Sequence, residues 1–269
     1  MDKKTLGVLA LLLTAVIWGI TLPLLKVNLE VIPPLTIAFL RFLIASLIAV
    51  SFSELKNLEL KDIMLIGVFA LFGISLSIGL LLIGLEGTST IDATFILALS
   101  PIITSLLAVL TLSEKINVFH LFGIVAAFVG TFIYTVSPIF SSGKSIDFGG
   151  NILVLGSVLA SGIYIIGSKK LFATYHPSSI AAVSFVVGMV SFFPGAIVEY
   201  VKNPFWVEKV SLFNIFSLIF LGVFASFIAF STLEWGLSKV AVHVSATISY
   251  LTPLISILVA AVFLEEQIH

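Results

Sequence analysis

Residues 96–114 read ILALSPIITSLLAVLTLSE, and residues 248–266 read ISYLTPLISILVAAVFLEE. Each is an apolar run with a hydroxyl residue and then a proline inside it, and each ends on a leucine with a glutamate two positions on. Sliding residues 84–117 forward by 152 extends this match without a gap, to about ten identities over 34 positions. Gly84-Leu85 falls on Gly236-Leu237, Pro101 on Pro253, and Glu114 on Glu266. A weaker match, at a shift of 143, pairs Gly7 with Gly150, Gly19 with Gly162, Lys26 with Lys169 and Pro34 with Pro177. The difference between the shifts falls in the connection around Val201 to Asn214. The chain is a duplication.

The repeated run is long enough to cross a membrane, since about 20 residues at 1.5 Å each span ~30 Å of hydrocarbon. Comparable runs occupy 6–25, 35–53, 63–85, 91–112, 118–137, 149–171, 178–199, 212–236 and 242–264, which predicts nine helices. Composition agrees: of 269 residues, 59% are hydrophobic and 10% charged, against about 25% charged in soluble domains. That much apolar surface has to face lipid. Lys3 and Lys4 before the first run look like the start of a signal peptide. The run is of full spanning length, however, and no small-residue cleavage pattern follows it, so it reads as the first membrane helix. Pro34, Pro177 and Asp62 stand where helices should begin, as a residue lacking an N–H or a capping carboxylate would.

Five helices per repeat is an odd number, so the second copy enters the bilayer from the opposite side. The expected fold is an all-α integral membrane protein built as an inverted repeat, a common transporter plan. Residues 1–143 form the first unit and 144–269 the second. The second unit stops at Glu265-Glu266-Gln267-Ile268-His269, where a fifth helix should begin, so nine of ten helices are expected here. Eight Lys residues fall on one side of this topology and five Lys/Arg on the other. Because cytoplasmic loops hold the excess, the N-terminus is expected inside the cell.

Trp18-Gly19, Pro23 and Lys26, then Arg41, then Ala98-Leu99-Ser100-Pro101 and Leu112-Ser113-Glu114-Lys115 with their second copies, resemble EamA-type transporters of the drug/metabolite transporter superfamily. The resemblance covers essentially the whole chain. It implies a ten-helix carrier in the cell membrane, with a central cavity between the halves, that moves amino acids, nucleobase-like metabolites or drugs, often outward. The sequence departs from that pattern in lacking the tenth helix, and in carrying Ser161 where the repeat places Trp18.

Interrupted helices at matching places in two halves are the best sequence pointer to a midplane binding site. Pro101 and Pro253 are predicted to break helical hydrogen bonding and to free the carbonyls of Leu97 and Ser249. Ser100 and Thr252 precede them and could bond a substrate. Trp18 lies well inside its helix, away from the interfaces where tryptophan collects, and could stack on a cargo molecule. Tyr164 lies at a similar depth, and Tyr250 is expected near the Pro253 kink. Thr94 and Ser161 add hydroxyls. Packing inside the bundle is the alternative role for each of these residues.

Ionisable groups inside hydrocarbon are costly and therefore informative. Arg41 lies about two turns into its helix, where it either meets an acceptor or snorkels outward. Glu234, near a helix end, has either a coupling or charge role or an interfacial place, and His243 opens the last helix, where it could titrate near neutral pH and couple transport to protons or serve structure alone. No span carries a carboxylate at mid-depth, so the cavity should suit neutral or zwitterionic solutes without obligatory ion coupling. Gly123, Ala126, Ala127 and Gly130 give the predicted fifth helix a small-residue face, for packing within the monomer or for a homodimer.

Other classes fare worse. There is no cysteine, no HExxH or GxSxG, and no carboxylate cluster, so no metal, cofactor or enzymatic role is expected. A net charge of −1 offers nothing to nucleic acid. No Gly-rich nucleotide loop marks a pump, and no rings of charge mark a channel. A secondary carrier exporting small metabolites is the leading reading. A non-transporting membrane subunit, and less so an intramembrane lipid enzyme, are the alternatives.

Overall fold

The structure is a computed structural model that describes residues 2–52, 58–112, 122, 126 and 148–263. The predicted helix 118–137, with its small-residue face, and the segment from Leu264 onward lie outside the described residues. Among the described residues there are eight helices long and apolar enough to cross a membrane. They begin and end within a few residues of the expected spans.

The first span is α1 (Lys3–Leu29), opened by Asp2, whose carboxylate accepts from Thr5 N at 2.6 Å. The second is α2 (Pro34–Phe52), with its proline in the first turn as expected. The third consists of α3 (Leu60–Ala70), a π-helical stretch (Leu71–Leu76) and α4 (Ser77–Glu86). Asp62 accepts from Glu59 N at 2.9 Å, which closes the start of α3. Its other oxygen accepts from the Tyr175 hydroxyl at 2.7 Å, and that bond holds the Tyr175 phenol above its ordinary pKa. The fourth span is α5 (Thr90–Leu97) and α6 (Ser100–Leu112).

The second half repeats the plan. It consists of α7 (Phe148–Leu171), α8 (Pro177–Lys202), α9 (Leu212–Phe220) continuing through a π-helical stretch (Leu221–Ile228) into α10 (Ala229–Lys239), then α11 (Val242–Ser249) and α12 (Leu251–Phe263). The two π stretches fall on one another under the 152-residue shift, with Gly73 matching Ala225. Composition along a run does not reveal them.

Packing crosses between the repeats. The first helix of each half leans on the other half: α1 packs against α10 and α12, and α7 against α4 and α6. Close approach is made possible by paired glycines. A Cβ on Gly150 would lie 2.8 Å from the Gly84 carbonyl oxygen, and one on Gly236 would lie 3.1 Å from that of Gly7. These two contacts are copies of each other under the sequence shifts. So are the lysine contacts: Lys26 Nζ donates to the Leu85 and Thr88 carbonyls at 2.6 and 2.5 Å. Lys169 Nζ donates to the Leu237 and Val240 carbonyls at 2.6 Å each. A cation at the end of a helix satisfies its last carbonyls and complements the helix dipole.

Apolar side chains cover the outside as well as the core. Leu6, Leu9, Leu13 and Val16 run down one exposed face of α1, and Phe213 and Phe216 down α9. The interior centres on Phe42, whose ring lies 6.0 Å from Phe192 and 6.5 Å from Phe230. Outer faces of this kind suit lipid, and polar atoms are turned inward and bonded.

A candidate substrate cavity between the repeats

A partly open space of about 190 Å³ lies where the two halves meet, and every described span except α8 contributes to its wall. From the first half come Trp18, Thr21 and Leu25 on α1, Arg41 on α2, Gly73 and Ser77 beside the π stretch, and Thr94, Ser100 and Pro101. From the second come Ser157, Ser161 and Tyr164 on α7, Phe230 on α10, and Ser249, Thr252, Pro253 and Ser256. Eight of the nine residues singled out for the cavity therefore line it. Tyr250 does not: it closes the C-terminus of α11, and its N–H donates to the Thr247 carbonyl at 3.4 Å.

The prolines act differently from a mid-helix kink. Each span breaks two or three residues earlier, with α5 ending at Leu97 and α11 at Ser249. In the first break Ala98 N reaches the Thr94 carbonyl and Leu99 N the Ile96 carbonyl, each at 3.0 Å. Pro101 and Pro253 then sit in the first turns of α6 and α12, where backbone N–H groups have no helical partner to lose. The prolines fix the start of the second segment, and the chain bends at the residues before them.

Trp18 is half-buried, with Nε1 donating to the Ala225 carbonyl at 3.0 Å. Its ring stands edge-on to Phe230 at 5.0 Å. That carbonyl belongs to the second π stretch, where the widened turn leaves an oxygen for a neighbouring helix. Tyr164 occupies the matching place at the first π stretch, seated so closely on Gly73 that a Cβ there would meet its ring. The Tyr164 hydroxyl donates to Ser184 Oγ at 3.1 Å. Thr94 and Ser256 link the halves across the cavity wall at 3.1 Å. Ser161 is turned back onto its own helix, donating to the Val158 carbonyl at 3.0 Å. Thr252 Oγ1 is buried without a hydrogen-bond partner among the described residues.

The structure decides between the alternatives for two of the charged side chains. Arg41 does not snorkel: it is 2% exposed, lines the cavity, and donates from Nε to Ser226 Oγ at 2.9 Å. Glu234 is not interfacial. It is wholly buried, with one oxygen accepting from Ser168 Oγ at 3.2 Å and the other without a hydrogen-bond partner. The cause is packing, because α10 lies against α1 and leaves Glu234 facing α7. Glu234 is not on the cavity wall, and neither is His243, which is half-buried in the first turn of α11. Among the described residues no cluster of His, Asp or Glu could hold a metal ion.

An inverted repeat of membrane helices closing on a small, mostly apolar cavity defines a class, the polytopic membrane transporters. The EamA-like transporter family model matches residues 5–136 and again 148–269, and the chain belongs to that family. An uncharacterized transporter of Archaeoglobus fulgidus is 26% identical over 97% of this chain and 91% of its own length. The uncharacterized transporter YvbV of Bacillus subtilis is 30% identical over 98% of this chain and 86% of its own. A probable terminal-alkyne amino-acid exporter of Streptantibioticus cattleyicolor is 25% identical, covering 98% and 87%. A solved crystal structure, described only as that of a protein, shares the fold at a TM-score of 0.70 and 17% identity, covering 96% of this chain and 88% of that one.

Proposed function

We propose that the protein is a secondary carrier of the cell membrane that exports small metabolites of the amino-acid class by alternating access, with its N-terminus in the cytoplasm. The observation that supports this reading is the partly open cavity at the meeting of the two repeats, walled by hydroxyls, aromatic rings and aliphatic side chains. Its volume of about 190 Å³ lies below the roughly 300–1,000 Å³ of sites that take drug-sized ligands. A small metabolite is favoured over a drug. The exporter name of the Streptantibioticus relative points the same way at low identity. The broken spans α5–α6 and α11–α12 flank the cavity from the two halves and serve as its gates.

Among the described residues the cavity wall carries no carboxylate, so flux is expected without a pH gradient. Counterflow into proteoliposomes, with a mixed panel of amino acids, nucleobases and cationic drugs, tests both parts. Saturable exchange of amino acids that is unchanged when the gradient is collapsed is the expected result. A strict need for the gradient would instead implicate Glu234, and silence across the panel would sink the carrier reading.

A further inference from the structure

Among the described residues Arg41 is the only side chain with a fixed charge on the cavity wall. A buried cation normally has an anion beside it, because desolvating an unpaired charge is expensive. The described residues supply none. Among the described residues the ion pair present is Lys61–Glu59, both exposed. The buried Glu234 and the half-buried Glu199 are engaged elsewhere. Glu234 accepts from Ser168, and Glu199 accepts from Leu35 N, Thr36 N and the Thr36 hydroxyl at the start of α2.

The one hydrogen bond that Arg41 makes uses Nε. Ser226, carried on the second π stretch, thus fixes the guanidinium at one corner and leaves the two Nη groups as a fork. Such a fork matches the two oxygens of a carboxylate. Around it the wall is apolar and aromatic, from Leu25 to the Trp18–Phe230 pair. The acceptors an ammonium group could use are uncharged, such as the unpartnered Thr252 hydroxyl.

We infer that Arg41 is the anchor for a carboxylate on the carried molecule, so that the cargo is a small organic monocarboxylate with an apolar body, zwitterionic amino acids included. This rests on the carrier reading above and adds to it the group the cargo must carry. The carboxylate neutralises Arg41 when it arrives and leaves it unpaired when it departs, so the loaded and empty cavities differ by one buried charge.

The test is titration calorimetry on the purified full chain in lipid nanodiscs, using matched series on one apolar skeleton: the amino acid, the acid without its amino group, the carboxamide and the amine. Both carboxylates should bind, and the carboxamide and amine should bind about tenfold to a hundredfold more weakly, as loss of a charge-assisted bond implies. In Arg41→Gln the acid and the amide should bind alike, while Arg41→Lys should keep part of the preference. Equal binding of acid and amide to the unaltered protein overturns the inference, as does a preference that survives in Arg41→Gln. If Arg41→Gln does not fold, the unaltered protein and Arg41→Lys decide. Counterflow of amines or nucleobases with no carboxylate carried would overturn the anchor while leaving the carrier intact. Absence of all counterflow would remove the carrier reading itself.

Discussion

Lys26 and Lys169 stand near the ends of α1 and α7 and do the same thing at opposite ends of the molecule. Each reaches the last carbonyls of a helix in its own half, just ahead of a gating segment, α5 or α11. A partly buried cation at a helix C-terminus contributes up to about 2 kcal/mol. Lys26→Met and Lys169→Met should therefore each lower resistance to thermal unfolding by a similar amount. A large effect from one and none from the other would contradict the equivalence of the two sites. The pairing of these residues was legible in the repeat, but their partners were not. In the sequence each lysine reads as a loop charge that helps to set orientation. Arg41 and Glu234 show the same limit: sequence placed them in helices but did not say which way they faced. These helices are apolar nearly all round, so the usual contrast between a wet and a dry face is missing.

Among the elements, the broken spans are the gates of the proposed mechanism. Sequence located both breaks through Pro101 and Pro253 and named eight of the 23 residues that line the cavity. It placed the bend on the proline, whereas the chain turns just before it and resumes with the proline in a first helical turn. A proline there narrows the angles at which the second segment can start. Replacing both by alanine should slow exchange more than it weakens ligand affinity, because the cavity wall is kept while the bend loses its definition. Counterflow rates measured beside equilibrium binding give the comparison, and unchanged transport would count heavily against the gates. The π stretches left almost no trace beyond Gly73 and Ala225 at matching positions. A widened turn is set by what packs on it, here Tyr164 and Trp18, and not by the local run of residues.

For the whole molecule, the repeat predicted which residues are equivalent, and the structure makes the same contact twice. Gly84 with Gly150, and Gly236 with Gly7, bring helices of opposite halves to backbone contact. Gly150→Ala would set a Cβ 2.8–2.9 Å from the backbone of Gly84 and Gly87, and overpacking of this kind costs roughly 1–3 kcal/mol. Gly67→Ala would find its nearest neighbour at 3.7 Å, an ordinary contact, and should be tolerated. Thermal unfolding of the two variants should separate them clearly. That each half's first helix lodges against the other half was not legible, since a repeat alignment specifies equivalence and not adjacency. The moving bodies of a transport cycle would accordingly each contain helices from both repeats.

The duplicated lysines and glycines have a thermodynamic corollary. Two copies facing opposite ways, held by the same contacts at each end, would make the inward-open and outward-open shapes of the proposed cycle near mirror images in energy. Such a carrier would have little built-in bias between its two sides and would run wherever the solute gradient drives it. What bias it does have must come from the places where the copies differ: Trp18 against Ser161, Arg41 against Ser184, Glu234 against Leu82.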